Sequence, residues 1–165
     1  MNRTAAIGEM VVLVLLSPLS LLLLILLLVG LPFYLFYRTL LRLLAEVLWV
    51  ARGKRILPIY SRSPVWQDYI ETTWLPRLKD HAIVLNWSDR SLWRRATPFA
   101  AWVFRHWAPA ANFNPMAIVF HRFPRIRRIW FYDAFRDWRH GNEVALWTAE
   151  EQLFEYVGKL ARPSA

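Results

Sequence analysis

The sequence predicts a single N-terminal transmembrane helix plus a juxtamembrane amphipathic helix, followed by a small α/β domain. Three observations predict it. Residues 10–29 carry no charge and are mostly Leu and Val; at about 1.5 Å per residue they span about 30 Å, the thickness of a hydrocarbon core. Residues 33–52 stay apolar on most sides but set Arg38, Arg42 and Glu46 at steps of four, along one helical face. From residue 54 onward, short apolar runs alternate with helix-start signals, the pattern of a sheet covered by helices.

The 165 residues suffice for one anchor and one domain of about 100 residues. A net charge of +9 with 56% hydrophobic residues points to a membrane or a polyanion as partner. Only Lys54, Lys79 and Lys159 are lysines; the other basic residues are arginines, whose planar fork suits phosphate, carboxylate and aromatic faces. The absence of cysteine excludes disulfides, thiolate metal sites and thiol catalysis. Ten tryptophans supply rigid amphipathic rings for cores, interfaces and the headgroup layer.

Pro18 lies inside the apolar run between Ser17 and Ser20, where hydroxyls can satisfy freed carbonyls, so a kink is expected rather than a break. A cleaved signal peptide is the rival, but the run is long for one and no small-residue cleavage pattern follows promptly. Gly30-Leu31-Pro32 is expected to end the span. A second span over residues 33–52 would bury two arginines and a glutamate, at a cost on the order of several kcal/mol. An interfacial helix costs less, and Phe33, Tyr34, Phe36 and Tyr37 fit an aromatic belt; re-entry as a hairpin is the alternative. Arg38, Arg42, Arg52, Lys54 and Arg55 follow the span, whereas Arg3 and Glu9 precede it. This bias places the C-terminal domain in the cytoplasm, on an inner (cytoplasmic) membrane.

The domain is read over residues 54–161, with a tail at 162–165, a nine-residue tail at the start and the juxtamembrane segment over 30–53. Gly53 is a C-cap. Residues 55–60 form a first strand, with the Pro58 nitrogen turned away from a ladder. Ser63-Pro64 starts a helix, which Pro76 should kink or end. Residues 81–86 form a second, buried strand. Ser88 or Asp89 caps a helix over about 90–107, interrupted at Pro98. Residues 112–115 turn, residues 116–121 form a third strand, and residues 126–133 return as a fourth, antiparallel one. Residues 134–142 read as strand or loop, and Thr148 with Glu151 reads as a capping box opening the last helix.

The resulting order, β-α-β-α-β-β-α, resembles the thioredoxin-like fold over roughly residues 54–160. Ser61-Arg62-Ser63-Pro64 occupies the strand-to-helix junction where that family carries Cys-x-x-Cys, and Asn114-Pro115 precedes the third strand where the family carries a cis-proline. The resemblance implies a cis bond at Pro115 and a vestigial site at Ser61, Ser63 and Pro115. Both cysteines are absent, so a member of this kind would have no redox chemistry. A ferredoxin-like or other small α/β sandwich is the alternative.

The four histidines, His81, His106, His121 and His140, have no metal-binding spacing, and no cofactor is expected. Asp133, Asp137 and His140 could do acid–base work, but interleaved Arg136 and Arg139 read as charge pairing. Ser61 and Ser63 lack a nucleophile setting, and Ser63 is better read as a cap. The strongest non-structural feature is a basic, aromatic segment. Residues 90–140 hold ten arginines against Asp133 and Asp137, interleaved with Trp93, Trp102, Trp107, Phe123 and Trp130.

Arg94, Arg95, Trp102, Arg125, Arg127, Arg128 and Trp130 are therefore expected to meet anionic lipid and a membrane protein complex, as a non-catalytic accessory subunit would. A membrane-tethered enzyme with a cysteine-free site at the first strand–helix junction is one alternative. Nucleic-acid binding is the other, and the anchor weighs against it.

Overall fold

The computed structural model describes residues 3–94, 96–108 and 114–161, with side chains over 17–93, 96–108 and 114–159. The chain forms two compact units, Met1–Leu41 and Arg42–Ala165.

The first unit is helical. Helix α1 (Arg3–Leu48) begins there and continues through Pro18, Gly30 and Pro32. The expected separation at Gly30-Leu31-Pro32 is therefore corrected: there is one helix, not two. A proline removes one backbone donor and frees one carbonyl, a local loss that the helical hydrogen bonds of flanking leucines outweigh. Beside Pro18, Ser20 Oγ donates to the Ser17 carbonyl at 2.8 Å. Ser17–Arg52 has the length and hydropathy of a membrane span, a description that a signal sequence also meets.

The second unit opens with residues 42–48 of α1 and a 3-10 turn, Val50–Arg52. Gly53 closes that turn at φ 79°, a left-handed conformation that favours glycine, and its N–H donates to the Val50 carbonyl. Strands β1 (Ile56–Tyr60), β2 (Leu85–Asn86), β3 (Met116–Phe120) and β4 (Ile126–Trp130) form a mixed sheet in the order β2-β1-β3-β4. β1 pairs parallel with β2, and antiparallel with β3 in the register Ile56↔Val119 to Ile59↔Met116. β3 pairs antiparallel with β4, Met116↔Trp130 to Phe120↔Ile126. β1 and β3 are buried at every position, as their continuous apolar runs require.

β2 is shorter and more exposed than the sequence implied. It lies at an edge, and Val84 is 45% exposed. Pro58 supplies the reason. Ile56 N donates to His81 O and Ile56 O accepts from Ile83 N, so alternation turns residues 56, 58 and 60 toward β2. Pro58 has no N–H to offer there, and the pairing lapses between an isolated bridge at Ala82 and the two residues of β2.

Helices cover both faces. After β1 come α2 (Gln67–Tyr69), a π-helical turn (Ile70–Trp74) and α3 (Leu75–Leu78), in one helical run. Ser63 Oγ accepts from Val65 N at 3.3 Å and caps its approach. Pro76 does not end the run. The π turn lies just before it, where a missing donor is accommodated by a widened helix. A 3-10 segment (Trp87–Arg94) and α4 (Phe99–Trp107) meet across Pro98, so the interruption stands, but the first piece is 3-10 rather than α.

Residues 132–139 form α5 (Tyr132–Arg139), neither strand nor loop, and α6 spans Val144–Ala161. α6 starts before the expected Thr148 cap. Gly141 at φ 88° ends α5, Asn142 Oδ1 accepts from Val144 N, and Thr148 sits inside the helix with its hydroxyl on the Val144 carbonyl. The bonds Asn114–Pro115 and Phe123–Pro124 are cis, the first as the resemblance implied. Residues 112 and 113 of the expected turn lie outside the described residues.

On one face, Tyr60, Ala117, Val119 and Ile129 pack with Ile70, Trp74, Leu78, Phe131, Phe135, Leu146 and Leu153 from the helices. The other face holds Leu57, Ile59, Met116, Ile118 and Phe120, all buried. Trp49, near the end of α1, packs edge-on against Phe120 and against Phe99 of α4, so the chain enters the domain on this second face.

Candidate interaction surface

Strand alternation sorts the arginines of β4. Residues 126, 128 and 130 share a face with Met116, Ile118 and Phe120, whereas Arg127 and Ile129 point to the opposite one. Arg127 reaches α6, donating to Tyr156 Oη at 2.9 Å and Gln152 Oε1 at 3.0 Å, with its guanidinium 5.6 Å from the Tyr156 ring centre. Arg128 reaches α4, where Nη1 donates to the Trp107 carbonyl at 3.2 Å; the same guanidinium lies 5.7 Å from the ring of Trp130. The sequence-selected residues of β4 are thus divided: Arg128 and Trp130 lie on the α4 face, Arg127 on the α6 face.

Trp102 sits on the outer side of α4, 49% exposed, between buried Ala101 and Val103. Arg105, one turn on, is exposed beside it. Trp130 is 41% exposed. Arg122 and Arg125 are exposed at the β3–β4 turn, where His121 N donates to Arg125 O and Arg125 N to Arg122 O. Among the described residues neither guanidinium has a hydrogen-bond or ion-pair partner. The side chain of Arg94 and the whole of Arg95 lie outside the described residues. Sequence reasoning left Arg105 and Arg122 out of the site; the spacing of three between Trp102 and Arg105 on one helix was the available signal.

Arg42 is a larger departure. It is 2% exposed, pairs with Glu46, and donates from Nη2 to the His121 carbonyl at 2.8 Å. Its guanidinium stacks 5.3 Å from the Phe120 ring centre and 5.5 Å from that of Phe123. The charged helical face read as interfacial is, at Arg42, part of the domain's core. Glu46, its acidic partner, is about one-third exposed, so the pair joins a buried guanidinium to a carboxylate at the domain's rim.

The first strand–helix junction is tied down. Ser61 O accepts from Trp66 Nε1 at 3.1 Å, Arg62 N donates to Ser88 Oγ at 2.9 Å, and Arg62 pairs with Asp89 at 2.6 Å. The β1–β3 register ends at Ile59↔Met116, which brings Ser61 and Pro115 to the same end of the sheet. Pro115 is buried, and its carbonyl accepts from Phe131 N at 3.0 Å. A groove of about 310 Å³ near this junction is lined by Pro64, Val65, Trp138 and Arg139, which bring one cation and no acid.

Two phenols are masked by the α6-side core. Burial and a hydrogen bond to Glu71 push Tyr60 up to about 12. Burial and a hydrogen bond to Glu150 push Tyr69 up to about 12. Glu150 is buried and also accepts from Trp74 Nε1 at 2.6 Å. Asp133 and Asp137 both pair with Arg136, at 3.2 and 3.5 Å, on an exposed helix side. Among the described residues, no three His, Asp or Glu side chains converge on a metal-sized site. Comparison with protein-family models, with curated proteins and with solved structures found no match.

Proposed function

We propose that this protein is a membrane-anchored, non-catalytic accessory subunit. Its cytoplasmic domain, thioredoxin-like in arrangement and without redox chemistry, holds a tryptophan- and arginine-bearing face against anionic lipid and a membrane-protein partner. One observation carries the reading. Trp102 and Trp130 are exposed, Arg105 and Arg128 accompany them, and this lies on the sheet face that Trp49 packs against as the chain enters the domain. Tryptophan and arginine are the residues suited to a headgroup layer and to interface anchors. A basic residue near an anionic bilayer gains about 1 kcal/mol.

The basic flank after the apolar segment supports a single pass with the domain in the cytoplasm. The thioredoxin-like arrangement is supported by the element order and by the meeting of Ser61 and Pro115 at one sheet end. An enzyme at the Ser61–Ser63 junction is less well supported, because Ser63 Oγ accepts from Val65 N and, among the described residues, the nearby groove is lined by Pro64, Val65, Trp138 and Arg139, which bring no general base.

The cysteine-free chain allows a clean test. Spin labels at Trp102→Cys, and at Glu151→Cys on α6 as a control, are compared in bilayers with and without anionic phospholipid. The label at position 102 should become accessible to oxygen and shielded from a water-soluble relaxer only with anionic lipid. Position 151 should stay aqueous in both. Equal aqueous exposure of the two sites would remove lipid docking from the account.

A further inference from the structure

The bonds that bracket the β3–β4 pair fix which way β4 presents its backbone. Phe131 N donates to Pro115 O at 3.0 Å, and His121 N to Arg125 O at 3.1 Å. By alternation, residues 125, 127, 129 and 131 bond to β3. Ile126, Arg128 and Trp130 therefore turn their N–H and C=O groups outward. The sheet order ends at β4, and among the described residues no strand pairs with that edge. The other edge, β2, is only two residues long.

We propose that the outer edge of β4 is a strand-addition site for an extended, acidic segment of a partner protein. This deepens the partner half of the reading above and rests on it; the lipid half is tested separately. An open edge offers main-chain donors and acceptors for affinity, and its side chains choose the occupant. Here the choice is electrostatic. Among the described residues Arg125 has no hydrogen-bond or ion-pair partner for its side chain, and Arg128 commits Nη1 to the Trp107 carbonyl. No acid lies in residues 116–132. A second copy of β4 would set arginine beside arginine, which such edges use to resist self-pairing. Carboxylates on an incoming strand turn the same charges into attraction, and the exposed Trp130 ring offers an apolar contact at the far end.

The test uses the full-length protein in a neutral detergent and a fluorescent, acetylated decapeptide of Glu and Val, arranged so that both faces of the extended strand carry carboxylates, read by anisotropy. Binding should strengthen at low salt. The same peptide with alternate amides N-methylated, so that its pairing edge cannot donate, should bind at least about tenfold more weakly. Arg125→Glu with Arg128→Glu should weaken binding by about tenfold or more. Arg125→Glu alone, at an exposed side chain, should move in the same direction without disturbing the fold. No binding, equal binding of the N-methylated peptide, or equal binding by the charge-reversed proteins would overturn the proposal. So would displacement of the peptide by a single-stranded oligothymidylate of equal affinity, since charge alone would then be read. If the peptide fails while partner subunits still co-purify with the protein, only the β4 site is lost.

Discussion

At the scale of single residues, burial decides what each polar group can do. Glu150 sits in the core because Trp74 Nε1 and the Tyr69 hydroxyl satisfy it, and Tyr60 is held in the same way by Glu71. Both phenols are pushed up to about 12, by burial first and by those hydrogen bonds second. A folded-state value above the unfolded one means that the folded chain holds the proton more tightly. This contribution to stability is complete below about pH 10, where unfolded tyrosine ionises, and is lost as pH rises toward about 12. Chemical denaturation of the protein should therefore show stability falling across that window, and Tyr60→Phe with Tyr69→Phe should flatten the fall. A slope unchanged in the double variant would contradict the assignment.

Arg42 shows the limit of sequence reading at this scale. The spacing of Arg38, Arg42 and Glu46 reveals a charged stripe, but not what the stripe meets. Its partners, the His121 carbonyl, Phe120 and Phe123, lie about eighty residues away in the chain.

At the scale of elements, legibility followed the strength of the local signal. β1 and β3 were readable because five apolar residues in a row have few alternatives to a buried strand. The break at Pro98 was readable because proline removes a donor wherever it falls. β2 was over-read: its apolar run is real, but its pairing depends on Pro58, a residue in another strand. α5 was missed although Phe131, Ala134, Phe135 and Trp138 recur at helical spacing and turn to the core; the charged residues between them, Asp133, Arg136 and Asp137, drew the reading to strand or loop.

The last helix tests which local signal wins. Thr148 with Glu151 matches a capping box, yet Asn142 holds the Val144 N–H, and Gly141 supplies the left-handed turn before it. Asn142→Ala removes this hydrogen bond and should cost about 0.5–1 kcal/mol by denaturant titration. Thr148→Ala should be neutral or stabilising by up to about 0.5 kcal/mol, since alanine is the better helix former in mid-helix. The reverse order of effects would restore the later start.

At the scale of the whole molecule, composition gave the broad outline and the structure gave its distribution. The net charge of +9 is carried unevenly. The β3–β4 turn and β4 hold Arg122, Arg125, Arg127 and Arg128, whereas α6 holds Glu150, Glu151 and Glu155. The candidate surface was legible as a list of residues but not as a surface. A run of arginines in sequence does not reveal that Arg127 is spent on Tyr156 and Gln152, nor that Arg128 and Trp130 share a face with the α1 entry. That distinction needs the register of β3 with β4, which depends on the turn between them.

The most direct measurement of the central claim is purification of the tagged full-length protein from its own membranes in a mild detergent, at low and high salt. Mass spectrometry would identify what co-purifies, and a Trp102→Ala, Trp130→Ala, Arg128→Glu variant would be carried in parallel. The account predicts a stoichiometric set of membrane subunits at low salt, reduced at high salt and lost in the variant. Recovery of the protein alone under both conditions, or an unchanged set of partners with the variant, would contradict it.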